Sequence, residues 1–455
     1  MKQLLQHCDA STGSPCIGEQ MTRKSSNSGT SGSVLSWRQG LETVLAATEV
    51  LSPFTLPVQD AGGHVLVRGI SAGMNVPPFT NSAMDGFAVI AGDTADADSG
   101  NPVVLTVIGE ARAGTPFSGF VASGSAVEVM TGAPIPDGAD AVVRVEDTRR
   151  PSNDRVEILS PVALHASIRQ AGADTMRGDL IAGAGTIPTP GLLGLLASCG
   201  FGAVEVYPKP RVALLAGGDE LVDPGSGDAL PFGKIFDSNS PMLLALLRSW
   251  GINAVFLGRV PDDTDALRAA IRKGAEYDIL VVTGGVSMGK HDHVRNAFDS
   301  LGGRELFWRL NQQPGGPLLV VRLGDCLAFG LPGNPVSCYV CSDIYLRAAI
   351  RRASGWQDPL PRIVRLVLAE ELLKSHSKVA FVRGRVQVSN GEIRVCATGP
   401  QDSNIIHSVA SHDGYIVFPE ERAILRAGNP VDFILARESA LADCCEAILD
   451  TQRSA

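Results

Sequence analysis

The residues best placed to do chemistry lie in "ILVVTGGVSMGKHDH", Ile279 to His293. Five apolar or β-branched residues enter a Gly-Gly turn, and Ser287 and Asp292 follow, the latter between His291 and His293. Gly284 and Gly285 carry no side chain, so backbone N–H groups there can approach an anion ahead of a helix, and Ser287 adds a hydroxyl. The plainer reading is a tight turn with solvated polar residues. A second loop, "GLPGNPVS", contains Asn334, a natural N-cap, and Pro335, a natural first helical residue; with Pro332 it is stiff and turns its N–H groups outward. In a third, "KIFDSNS", Asp237 either caps a helix or converges with Asp292 on a hard divalent ion, since Mg²⁺ is usually held by one or two carboxylates and phosphate oxygens. The two histidines suit solvent or phosphate contact better than a softer metal.

These loops need a scaffold, and the flanking text supplies one. From Arg211 strand-like and helix-like segments alternate: "RVALLAG", "SPMLLALLRSWG", "NAVFLGRV", "DTDALRAAIRKGAE", "DILVVTGG", "HVRNAFDSLGG", and, after a β-rich interval, "CLAFGLPG" and "NPVSCYVCSDIYLRAAIRRA". Such alternation predicts a mostly parallel sheet with helices on both faces, binding its ligands at the carboxyl ends of the strands. Before it, "WRQGLETVLAATEVL" has helical spacing, a β-rich run follows, and "GLLGLLASCGFGAVEVYPKP" returns as helix and strand. After it, "KVAFVRGRVQVSNGEIRVCATG" alternates around Asn390-Gly391, a favoured hairpin turn. The expected fold is multidomain α/β and β. It comprises a polar, disordered tail to residue 35, a discontinuous N-terminal domain (36–75 and 160–208) and a β-rich insertion (76–159). An α/β domain (209–358), a small β-domain (361–437) and a tail (438–455) complete it.

Composition narrows the class. The 455 residues exceed one compact core. The net charge of −9, with no basic stripe among aromatics, argues against nucleic acid. A mean hydropathy of +0.12 without an eighteen-residue apolar run argues against a membrane span, and the N-terminal stretch lacks the apolar segment of a signal peptide. Nine irregularly spaced cysteines suit reduced thiols in the cytoplasm, and the Cys338–Cys341 pair reads as small core residues on an amphipathic helix.

The loops, taken in order with "PPFTNSAMDGFAV", "MTGAPIPDGADAVVRVED", "IRQAGAD", "GDEL" and "FVRG", resemble the molybdopterin molybdenumtransferase family, and are similar also to the E domain of gephyrin. The likeness runs from about residue 37 to 435. It implies a Mg²⁺-dependent transferase that converts adenylylated molybdopterin and molybdate to molybdenum cofactor and AMP. The resemblance also implies a homodimer of four-domain subunits, with each site between the α/β domain of one and the N-terminal domains of the other, serving other cofactor-biosynthesis proteins and acceptor molybdoenzymes. By motif, Asp85, Thr131, Arg169 and Asp174 are the partner subunit's contribution, Asp85 with a catalytic role. Asp237 and Asp292 would be catalytic carboxylates holding Mg²⁺. Gly284, Gly285, Ser287, Pro332, Asn334, Pro335, Arg383 and Ser403 would bind substrate, Arg383 meeting molybdate. Where the family carries lysines in a "KPGKP" run, this chain has Gln313 and Gly316 in "NQQPGGP", and Gly217 replaces a threonine. Two other readings therefore stand beside it: a paralogue that binds pterin or cleaves a nucleotide pyrophosphate with weak metal insertion, and a non-catalytic dimeric scaffold.

Overall fold

Apolar, β-branched runs bounded by glycine or proline form the strands of the central domain. In the computed structural model, Val212–Gly217, Val255–Val260, Ile279–Thr283 and Cys326–Leu331 lie parallel. Leu319–Leu323 and Arg304–Trp308 extend this sheet antiparallel, completing six strands with Val255–Val260 and Arg304–Trp308 at its edges. Alternate residues face two cores: Val212, Leu214 and Val281 pack with Leu243 and Leu247, whereas Ala213, Leu215 and Val282 pack with Leu267, Ile271 and Phe298. Helices on both faces thus bury the parallel strands and leave their carboxyl ends as the open rim. The structure describes residues 34–227, 229–285, 293–389, 391–437 and 439–444. The polar tail up to residue 33, the loop with Ser287, His291 and Asp292, Asn390 and residues 445–455 lie outside them.

The N-terminal region returns on itself as its apolar pattern implies. Phe54–Pro57 pairs antiparallel with Ala203–Tyr207, which also pairs with Val65–Leu66. Between them sits a six-stranded sheet containing Gly86–Val89, Val103–Ala111, Ser125–Val129 and Ala141–Arg144. The Trp37–Ala47 helix, placed by sequence with the discontinuous domain, packs Trp37, Leu41 and Val44 into the α/β core beside Leu310 and Tyr345. Each of these buried side chains contributes about 2 kcal/mol of apolar burial. Periodicity identified the apolar face but not the body that covers it.

The C-terminal β-domain is joined to the α/β domain through the chain itself. Gln312–Gln313, in the loop after Arg304–Trp308, runs parallel to Val379–Ser389 as an edge strand of the C-terminal sheet. Val379–Ser389 pairs with Glu392–Ala397 and Gly414–Phe418. Ser389 faces Glu392, the register of a two-residue turn.

Candidate active site

Glycines bring the loops of the rim close together. Gly284 (φ +80°) and Gly285 (φ +66°) adopt left-handed backbone, and a Cβ on Gly284 would lie 2.3 Å from the Gly217 carbonyl oxygen. The Gly284 N–H donates to the Leu331 carbonyl at 3.2 Å, so this amide helps to pack the loop. Gly333 approaches so closely that its Cβ would sit 3.7 Å from the Gly284 Cα, and Asn239 Nδ2 donates to the Gly333 carbonyl at 2.8 Å. The strand end at Thr283, the 331–335 loop and the start of the Asn239–Ser249 helix therefore meet in one place.

Asp237 lies at that helix start. Its side chain has 0% exposure; Oδ1 accepts the Ser240 N–H at 3.0 Å and Oδ2 accepts Arg259 Nε at 2.9 Å. Both alternatives read from sequence bear on it. The bond to Ser240 is a capping contact, but the open carboxylate expected of a metal ligand is instead buried and ion-paired. Arg259 reaches on to Asp223 Oδ2 at 3.1 Å. Three further oxygens in this region, Asn239 Oδ1, Ser240 Oγ and Thr283 Oγ1, are buried without a hydrogen-bond partner. Buried polar atoms are seldom left unsatisfied, and an oxygen-only set beside a carboxylate suits a hard cation. Among the described residues no group of three or more His, Cys, Asp or Glu is arranged to hold a metal. Asp292 lies outside them.

The second half of the rim involves the C-terminal domain. Asn334 occupies the N-cap position before Pro335 but makes no side-chain cap bond; its Nδ2 donates to Ser403 Oγ at 3.0 Å. The Val336 N–H donates to the Ser403 carbonyl at 3.3 Å. Pro332, Asn334, Pro335 and Ser403 are thus assembled across the domain junction. Arg383 lies on the adjoining strand, 1% exposed, with Nε on Ser408 Oγ at 3.1 Å, Nη1 on the Phe381 carbonyl and Nη2 on the Asp402 carbonyl. All three acceptors are neutral, and burial lowers its pKa to about 10, the Tyr415 and Asp402 side chains opposing that shift. Gln312 is buried, donating to the Pro314 and Gly315 carbonyls and accepting from Tyr345, so neutral groups hold the 313–316 turn.

A separate group forms in the N-terminal region. Ile168–Arg169 pairs with Asn81–Ser82, and the Asp174 N–H donates to the Val76 carbonyl, drawing Arg169 and Asp174 toward the "MDG" loop. Asp85 Oδ1 accepts the Thr131 N–H at 2.6 Å and the Thr131 hydroxyl at 2.8 Å, which hold this exposed carboxylate below its usual pKa. A Cβ on Gly86 would strike the Val143 carbonyl oxygen of the paired strand, so the strand start after Asp85 requires glycine. Among the described residues no hydrogen bond or ion pair links this group to the rim. Sequence reasoning missed Arg259, Asn239 and Thr283; the available signal for the first was an arginine at the ligand-side end of an otherwise apolar strand.

Three family descriptions match in chain order: MoeA N-terminal region (domain I and II) over 35–200, probable molybdopterin binding domain over 213–352, and MoeA C-terminal region (domain IV) over 365–436. A molybdopterin molybdenumtransferase 2 of Mycobacterium tuberculosis is 36% identical over 383 residues, covering 83% of this chain and 93% of the relative. A molybdopterin molybdenumtransferase of Bacillus subtilis is 33% identical, covering 84% and 89%. The crystal structure of a molybdopterin biosynthesis MoeA protein from Pyrococcus horikoshii superposes with a TM-score of 0.74 at 28% identity, covering 89% of this chain and all of that one. Fold and rim together define a multidomain transferase of the MoeA-like architecture. The chain belongs to the molybdopterin molybdenumtransferase family, whose reaction is molybdenum insertion into molybdopterin.

Proposed function

We propose that the chain inserts molybdenum into adenylylated molybdopterin and releases AMP, with Mg²⁺ at Asp237 and Asp292. The observation that supports this most is the rim at Asp237: a fully buried carboxylate at the start of a helix whose Asn239 and Ser240 side-chain oxygens, like that of Thr283 at a strand end, are buried without a partner, where such sheets take their ligands. Asn239, Ser240 and Thr283 would join Asp237 around the ion, which when bound would polarise the scissile pyrophosphate. Water attacking the AMP phosphorus forms one P–O bond and breaks the P–O bond to the pterin phosphate, which keeps the electron pair, and AMP is released. The dithiolene sulfurs then replace oxygens on molybdenum. The chain's part is positional and electrostatic: Asn334 and Ser403 tie the two walls together, and Arg383 supplies a fixed positive charge beside them. No cysteine nucleophile is required, and burial raises the pKa of the Cys338 and Cys341 thiols well above their ordinary value.

A second copy of the chain completes the site in this reading. Phe79, Met84, Leu164 and Met176 are exposed apolar side chains on the segments that carry Asp85, Arg169 and Asp174, as a covered subunit face would have. We place the reaction in the cytoplasm, where unbridged cysteines persist; Cys199, Cys326, Cys338, Cys341 and Cys396 are free thiols. No helix among the described residues is long and apolar enough to cross a membrane.

Purified protein given adenylylated molybdopterin, molybdate and Mg²⁺ is expected to release AMP, with strong stimulation by molybdate. Undiminished release from the Asp237→Asn, Asp292→Asn double variant would remove the metal role. The neutral turn at Gln313 and Gly316 favours one second reading, a pyrophosphate-cleaving paralogue with weak insertion, and AMP release indifferent to molybdate would select it.

A further inference from the structure

Asp237, Arg259 and Asp223 form a line running from the buried interior to solvent. The side chains are 0%, 25% and 57% exposed, and the guanidinium bridges the two carboxylates at 2.9 and 3.1 Å. Arg259 stands near the carboxyl end of the Val255–Val260 strand, opposite Ala216, with its guanidinium carbon 5.6 Å from the Phe256 ring centroid. Burying an unpaired carboxylate is costly, so Asp237 needs a positive partner whether or not a metal is bound. Arg259 meets that need through Oδ2, while the Ser240 N–H occupies Oδ1.

A divalent ion on the same carboxylate would lie within a few ångströms of the guanidinium, a like-charge contact that disfavours both at once. Two carboxylates and one guanidinium nevertheless leave the line with a net negative charge, which attracts a cation. Asp223, on the exposed side, offers Arg259 a second partner.

Resting on the reading that a divalent cation acts at this rim, we propose that Arg259 is an exchangeable counter-ion. It neutralises Asp237 when no metal is present and shifts toward Asp223 when the cation arrives. Arg259 is then a positioning residue that sets how tightly the metal is held.

The test is Mn²⁺ binding to the full-length protein without substrate, followed by electron paramagnetic resonance. Arg259→Gln, which removes the competitor, is expected to bind Mn²⁺ about tenfold more tightly than wild type. Asp223→Asn, which removes the alternative partner, should bind it more weakly, and Asp237→Asn should abolish the effect of changing Arg259. Equal Mn²⁺ affinity in wild type and Arg259→Gln would overturn the proposal. So would tighter binding in Asp223→Asn, a substitution at an exposed side chain that serves if Arg259→Gln does not fold. AMP release reports separately. A wild-type protein that binds Mn²⁺ as expected but releases no AMP overturns the reaction reading, whereas AMP release with unchanged Mn²⁺ affinities overturns only the role of Arg259.

Discussion

Gln313 and Gly316 show how a local substitution alters an electrostatic site without altering its frame. The turn they occupy is fixed from behind by Gln312, Tyr345 and Cys341, the last lying so close that a Cβ on Gly315 would sit 2.3 Å from its sulfur. Gln313 is exposed, so a lysine there has room. Gly316 is tighter, since a Cβ would lie 3.1 Å from the Gln312 carbonyl oxygen, and the main chain must give slightly. Charge-assisted hydrogen bonds to an oxyanion are among the stronger polar contacts. The Gln313→Lys, Gly316→Lys variant is therefore expected to lower the molybdate concentration that gives half-maximal AMP release by about tenfold, with little change in the maximal rate. A molybdate titration of both proteins measures this, and an unchanged half-maximal concentration would show that the turn does not face the oxyanion.

The helical run from Pro335 to Ala353, interrupted by the π-helical turn Ser342–Leu346, carries the rim loop at one end and contacts the C-terminal domain along its length. Asp343 accepts from Tyr415 at 3.1 Å and from Arg347 at 3.2 Å, and the Tyr415 hydroxyl lies 3.2 Å from His412 Nε2. His412 Nδ1 lies 2.7 Å from the Val409 carbonyl, and Asp413 and Arg383 are nearby charges. Burial lowers the His412 pKa from the ordinary 6.5, so the folded chain keeps the ring neutral while the unfolded chain takes up a proton below that value. The resulting stability is complete above pH 6.5 and is lost progressively as the pH falls toward the folded pKa. Thermal unfolding between pH 7.5 and pH 5 is expected to show a falling Tm in wild type and a flatter profile in His412→Gln; parallel profiles would contradict it. The strands and helices of this junction were legible in the sequence because apolar runs and turn residues mark them locally. Its partners were not. The Asp343–Tyr415 and Asp237–Arg259 bonds depend on which helix covers which sheet and in what register, information that hydrophobic period alone does not carry. The same limit hid the packing of the Trp37–Ala47 helix.

At the scale of the whole molecule, the site residues read from motif fall into two assemblies, one from the N-terminal part of the sequence and one from the rest. Asp85, Thr131, Arg169 and Asp174 lie on N-terminal segments bordered by exposed Phe79, Met84 and Met176, whereas Asp237, Asn334, Arg383 and Ser403 lie where the α/β and C-terminal domains meet. The Asp85 carboxylate receives both Thr131 bonds on Oδ1, so its second oxygen remains for a ligand or a facing subunit. If each active centre takes one assembly from each of two copies, variants damaged in different assemblies must complement each other. Asp85→Asn alone and Asp237→Asn alone are each expected to lose most AMP release. In a mixed dimer, both lesions fall in the same centre when they sit on opposite subunits, and the other centre is intact. Random reassortment makes half the dimers mixed, with one working centre of two, so activity should return to roughly a quarter of wild type. Co-expression with two affinity tags, followed by purification of the doubly tagged dimer, raises the expected value to about half. Mixed dimers no more active than their parents would mean that both assemblies serve a centre within one chain.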